Sequence, residues 1–195
     1  MQSNVISISR DAQNLDKILC ETQKTAVYAD LTAKKSLRLR LIAEELVGML
    51  KELSVDFAGN FWIDEENAAF SFTTQLCINE NMDRETKQRF IDISSDKKNA
   101  AAVGIRGKIR DVVENLLYPE NAMYSAAFVA YQLENAVLMN DTWTLNRYKD
   151  SVRESEEEWD ELEKSIIANM ADDVSVSVKG NKVEILITKK FDKEN

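Results

Sequence analysis

One proline and five glycines punctuate a chain of 195 residues. Both residue types interrupt regular structure, proline by removing a backbone donor and glycine by its entropy cost. A chain that nearly lacks them is built from long uninterrupted elements, mostly helices. The apolar share is 44% and the charged share 30%, which is the balance of a chain able to bury a core. The length suits one domain carrying a sizeable insertion. No Pro-, Gly- or Ser-rich linker divides it, so residues 1–195 read as a single domain, with 80–150 as a helical elaboration within it.

Absences narrow the chemistry further. There are no histidines, which excludes a Ser-His-Asp triad, a Cys-His dyad, and His-ligated zinc or haem. Acids outnumber bases 34 to 25, for a net charge of -9, and the whole excess lies in residues 111–195. Such a chain does not bind nucleic acid by bulk electrostatics, which needs clustered Lys and Arg. Cys20 and Cys77 lie far apart and without CxxC spacing, and read as reduced, mostly buried thiols of a cytoplasmic protein. The opening MQSNVISISRD has no basic stretch followed by an apolar one, so no secretory signal is expected. No run of about 18 apolar residues is present to span a membrane.

Periodicity places the elements. Residues 4–8 alternate weakly as a short strand. A helix over about 11–29, with Ser9 as a candidate N-cap, puts Leu15, Ile18, Leu19, Thr22, Ala26 and Ala29 on one face. A second helix over about 36–53 carries the stripe Leu39, Ile42, Leu46, Leu50 and Leu53, while Arg38, Glu45 and Glu52 recur at sevenfold spacing on another face. Residues 57–60 read as a loop. Residues 61–64 and 69–78 read as a hairpin around Glu65-Glu66-Asn67. Helices are expected at 84–93 and 97–117, capped by Asp83 and Asp96, and at 122–138, capped by Asn121 and apolar nearly all round. One or two more follow, from Asp141 to about 170. The seven acids within 154–163 read as a solvated helix face. The chain closes on a hairpin: Val174, Val176 and Val178 alternate, Gly180-Asn181 turns, and Val183, Ile185 and Ile187 alternate again. The expected fold class is α+β: a mixed sheet of about five strands with helices packed on one face, plus a helical insertion.

This order, with a second helix reading LRLRLIAEELVGMLKEL, resembles the histidine-kinase-like ATPase superfamily, specifically its anti-sigma-factor serine-kinase branch. The resemblance covers residues 4–78 and about 155–191 and implies the Bergerat-like sandwich of that superfamily. In that family the second helix carries a Glu that acts as general base and, four residues later, an Asn that holds Mg²⁺. Ala43-Glu44-Glu45-Leu46-Val47 matches the run-up, so the resemblance puts Glu45 at the catalytic position. Met49 stands where the Asn would be, and a thioether is a poor ligand for a hard cation. The family's Asp-x-Gly-x-Gly, which recognises adenine, has its nearest match in Asn79-Glu80-Asn81-Met82-Asp83. Asn79 replaces the Asp, and both glycines are gone. The nearest match to the glycine-rich phosphate lid, Gly104-Ile105-Arg106-Gly107-Lys108, falls in a helical pattern and reads as close helix packing.

The resemblance, with its nucleotide positions Glu45, Met49, Asn79 and Asn81 degraded, implies a non-catalytic regulatory protein of the bacterial cytoplasm. It would act by binding a protein partner such as a sigma factor or its antagonist, with no cofactor, no nucleic acid and no membrane. Homodimerisation is expected by analogy. The basic start of the second helix, Lys34, Lys35, Arg38 and Arg40, reads as a solvated surface or as a contact for an acidic partner. Two alternatives stay open. One is a divergent ATP- and Mg²⁺-dependent serine kinase, for which Glu44, Asn60 and Asn67 are spare oxygen donors. The other is an unrelated α+β domain.

Overall fold

The computed structural model describes residues 1–10, 12–53, 55–79, 105–117 and 142–192. Strand β1 (Ile6–Ser9) leads into helix α1 (Ala12–Tyr28) and helix α2 (Ala33–Glu52). The hairpin β2 (Phe57–Glu66) and β3 (Ala69–Ile78) follows, then helix α3 (Ile105–Leu117). Strand β4 (Thr142–Thr144) precedes three short helices, α4 (Leu145–Ser151), α5 (Glu156–Lys164) and α6 (Ile166–Met170). The hairpin β5 (Asp173–Lys179) and β6 (Lys182–Lys190) ends the described fold.

The strands form one sheet in the order β1-β2-β3-β6-β5-β4. The α+β layout is as expected, with six strands where about five were read. Every pairing is antiparallel, where a mixed sheet was expected. Two-residue turns account for two of the five pairings: Asn67 and Ala68 both take positive φ, and Gly180 does so at φ 61°, so the β2–β3 and β5–β6 hairpins fold straight back. The extra strand, β4, is only three residues long, too short for alternation to mark it.

Strand alternation sorts the two faces. Phe57, Phe61, Ile63, Phe70, Phe72, Leu76, Val174, Val176, Val183, Ile185 and Ile187 are buried on one face. The other carries Asn60, Ser71, Gln75 and Ser177, with the half-buried Trp62 and Leu186 among them. There the Gln75 amide donates to Glu184 at 2.8 Å. Helices cover the first face: α1 packs on β1 and β2, α2 on α1, and α3 and α4 on β5. The stripe of α2 is buried at every expected position, Leu39, Ile42, Leu46 and Leu50, with Leu53 just beyond its end. Ile105, Ile109, Val113, Trp143 and Leu145 join the same core as the sheet.

Several sequence expectations are corrected. Residues 57–60 are the first part of β2, not a loop. Ala58-Gly59-Asn60 has turn composition, but Gly59 sits where β3 approaches so closely that a Cβ would lie 2.1 Å from the Gln75 carbonyl oxygen. Ser9 ends β1, three residues before the first residue of α1. Residues 142–170 hold a strand and three helices because Thr144, Ser155 and Ser165 each cap a new one, accepting from the N–H of Arg147, Glu158 and Ala168. Both cysteines are exposed, Cys20 on the outer side of α1 and Cys77 on the polar face of β3, between the buried Leu76 and Ile78. The helices read at 84–93 and 122–138, the caps Asp83, Asp96, Asn121 and Asp141, and Asn81 and Gly104 lie outside the described residues.

One core position breaks the pattern. Thr74 is fully buried between Phe61 and Ile185, and its hydroxyl has no hydrogen-bond partner among the described residues. An unpaired buried hydroxyl keeps its desolvation cost, so Thr74→Val, which keeps the branched shape, is expected to stabilise by about 1 kcal/mol. For a chain of this length that raises the melting temperature by about 2–4 °C. Urea unfolding checks it, and a loss of stability in the valine variant contradicts it.

Candidate functional site

The residues set apart by the sequence are Glu45, Met49, Asn79 and Asn81. Glu45 lies on the C-terminal half of α2 and is 7% exposed. A carboxylate this buried needs a partner, and Arg106, in the first turn of α3, supplies it. Arg106 Nε donates to Glu45 Oε2 at 2.7 Å and Nη2 to Oε1 at 2.6 Å. This is the bidentate fork geometry, the strongest form of such a pair. Arg106 Nη1 also stands 3.6 Å from Glu52 Oε1. The hydrogen bond to Glu45 holds the Arg106 guanidinium above its ordinary pKa, against the opposing effect of burial.

Gly48 makes this arrangement fit. It lies between Glu45 and Glu52 on the same side of α2, and a Cβ there would be 2.6 Å from Arg106 Nη1. Glu45, Gly48 and Glu52, at spacings of three and four, form a slot with a glycine floor and acidic walls. The guanidinium of α3 fills that slot. Helix α3 therefore docks on α2 through an ion pair as well as through the buried Ile105 and Ile109.

Met49 is 1% exposed and belongs to the core. Asn79 is exposed at the end of β3, where its N–H donates to the Asp56 carbonyl at 3.0 Å and its amide to Asp56 Oδ2 at 3.4 Å. It thereby closes the open end of the β2–β3 hairpin. No hydrogen bond joins Asn79 to Glu45 among the described residues. The spare oxygen donors do not converge either. Glu44 pairs with Arg40 at 2.9 Å, Asn60 faces Ser7 on the polar side of the sheet, and Asn67 occupies the β2–β3 turn. An open depression of about 300 Å³ lies on that polar face, lined by Asp64, Glu66, Asn67, Ala69, Ser71 and Lys190, and includes neither Glu45 nor Asn79.

Two further carboxylates are engaged. Glu21, 5% exposed, would be pushed up by burial. The N–H and side chain of Asn4 and the ammonium of Lys24 outweigh that and lower its pKa. Asp172 is likewise pushed up by burial but held low by Lys189 and by the Lys190 N–H, each at 2.6 Å. Both pin the ends of strands, Glu21 holding the entry to β1 against α1 and Asp172 tying the start of β5 to the end of β6.

Among the described residues no cluster of acids and cysteines has the makings of a metal site, and no helix is long and apolar enough to cross a membrane. Sequence reasoning singled out Glu45 but missed its partner. The available signal was the pairing of Glu45, Gly48 and Glu52 on one helix side with an arginine opening the helix at 105–117. Comparison with known protein families, curated proteins and solved structures finds no match for the chain.

Proposed function

We propose that this chain is a non-catalytic regulatory protein of the bacterial cytoplasm, anti-sigma-factor-like, which acts by binding another protein. The observation that carries this reading is the state of Glu45. Both carboxylate oxygens of Glu45 accept from the Arg106 guanidinium, which orients the group toward α3 as one half of an ion pair. Met49, four residues on, is packed in the core and offers no oxygen to a cation. The α2 positions that would serve phosphoryl transfer in the resembled family thus hold the fold together.

A thermal-shift series with ATP and ADP, each with and without Mg²⁺, tests this. A ligand at about 100 times its dissociation constant stabilises a protein by about 2.7 kcal/mol. In a chain of this length a competent site therefore gives a shift of about 5–11 °C. The expected shift is below about 2 °C and independent of Mg²⁺. A large Mg²⁺-dependent shift that disappears in Asn79→Ala overturns the reading in favour of a nucleotide-dependent kinase. The binding half is tested by purifying the tagged protein from its native host, then reconstituting any retained partner from pure components.

A further inference from the structure

Six large apolar side chains stand in water among the described residues: Met1 and Val5 ahead of β1, Ile166 at the start of α6, and three that lie close in sequence around one turn. Val27 is 66% exposed, Tyr28 79% and Leu37 56%. All three flank the short turn between α1 and α2, Val27 and Tyr28 on the last turn of α1 and Leu37 near the start of α2. Lys34 neighbours both Leu37 and Arg38 on α2, at spacings of three and four. Neither makes an ion pair among the described residues, although Arg40 pairs with Glu44, and Lys35 donates to the Asp192 carbonyl. The corner therefore carries exposed apolar side chains beside two positive charges that make no ion pair among the described residues, with the exposed Asp30 in the turn between the helices.

A patch of opposite sign lies on α5 and the start of α6. Glu156, Asp160 and Glu163, at spacings of four and three, are exposed on one side of α5, with Glu154 just before it. Glu154, Glu156 and Asp160 have no ion-pair partner among the described residues. Ile166, at the start of α6, is 42% exposed beside them. The two patches thus hold four exposed large apolar residues and opposite charges. Exposed apolar surface ringed by charge marks an interaction site, and matched charge sets register and encounter rate.

We propose that the α1–α2 corner of one copy docks on the α5–α6 face of a second copy. Tyr28 and Leu37 meet Ile166, while Lys34 and Arg38 face Glu156 and Asp160. The contact joins two different patches, so it either closes reciprocally between two copies or continues to larger assemblies. It stands independently of the reading of Glu45 above.

Light scattering coupled to size exclusion, run over a range of protein concentrations at low and high salt, is the test. The mass is expected to rise above the 22.2 kDa of one chain as concentration rises, and to fall back as salt screens the charges. Lys34→Glu combined with Arg38→Glu, and separately Glu156→Lys combined with Asp160→Lys, should each weaken self-association at least about tenfold. Lys34, Glu156 and Asp160 are exposed and Arg38 is half-buried, so a thermal melt of each reversed variant checks that the fold is kept. Mixing the two reversed variants should restore association, because an acidic corner then meets a basic α5. A wild-type chain that keeps the mass of one copy at every concentration and salt overturns the proposal. So do reversed variants that associate as well as wild type, or a mixture that fails to associate.

Discussion

Replacing Arg106 by Met is expected to cost about 3 kcal/mol of stability, the low end of the range for stranding one partner of a buried ion pair. The low end applies because Arg106 is itself partly exposed, so water can reach the slot once the guanidinium is gone. At about 2–4 °C per kcal/mol for a chain of this length, the melting temperature falls by about 6–12 °C. Glu45 is left charged, buried and without its two hydrogen bonds. Removing the charge as well, in Arg106→Met with Glu45→Met, should recover most of the loss, since two apolar side chains can replace a buried pair at little net cost. Hydrogen exchange should locate the damage at residues 105–117, which lose their polar anchor on α2. Gly48→Ala supplies an internal check: it should destabilise the native chain by displacing the guanidinium, and stabilise the Arg106→Met variant, where only the helix preference of alanine remains. An Arg106→Met protein as stable as wild type would mean that the pair adds nothing to the docking of α3.

Gly59→Val is the second large effect. Valine ordinarily favours strands, by up to about 1 kcal/mol over glycine. Here its Cβ would lie 2.1 Å from the Gln75 carbonyl oxygen and 3.0 Å from the Leu76 Cα. Both are backbone atoms of the neighbouring strand and cannot swing aside as a side chain would. Overpacking typically costs about 1–3 kcal/mol and more where the backbone must move, so a net loss of at least about 3 kcal/mol is expected. The midpoint of urea unfolding reads it. Gly180→Ala is the natural comparison. Gly180 has positive φ but open space around it, so its loss is conformational alone, about 1 kcal/mol. Equal costs at the two positions would refute the account of Gly59.

How much of this could be read in advance depended on the range of the interactions concerned. Period-two alternation in 174–187 reports which face of a strand is buried, and Val174, Val176, Val178, Val183, Ile185 and Ile187 are all buried as assigned. The stripe of α2 holds for the same reason, with a period nearer four. Failures cluster where a local signal was overruled by something distant. Gly59 reads as a turn until β3 is known to pass against it. Ser155 and Ser165 divide into three helices a stretch that reads as one or two, because a capping bond is a matter of one hydroxyl and not of periodicity. The candidate site shows the same division. Glu45 could be named from its own helix, yet what it does is decided by Arg106, 61 positions away.

The central seam of the sheet has a kinetic consequence. Strands β2 and β3 are joined by two residues, as are β5 and β6, so each hairpin can close within microseconds. The β3–β6 ladder between them unites residues such as Gln75 and Glu184, 109 positions apart. The entropy of closing so long a loop must be spent before any pairing along that ladder returns it. The two hairpins are therefore expected to close before the β3–β6 ladder joins them, and that joining to govern the rate of folding. Loop entropy grows only with the logarithm of length, so lengthening the chain between the halves would slow that zipping little.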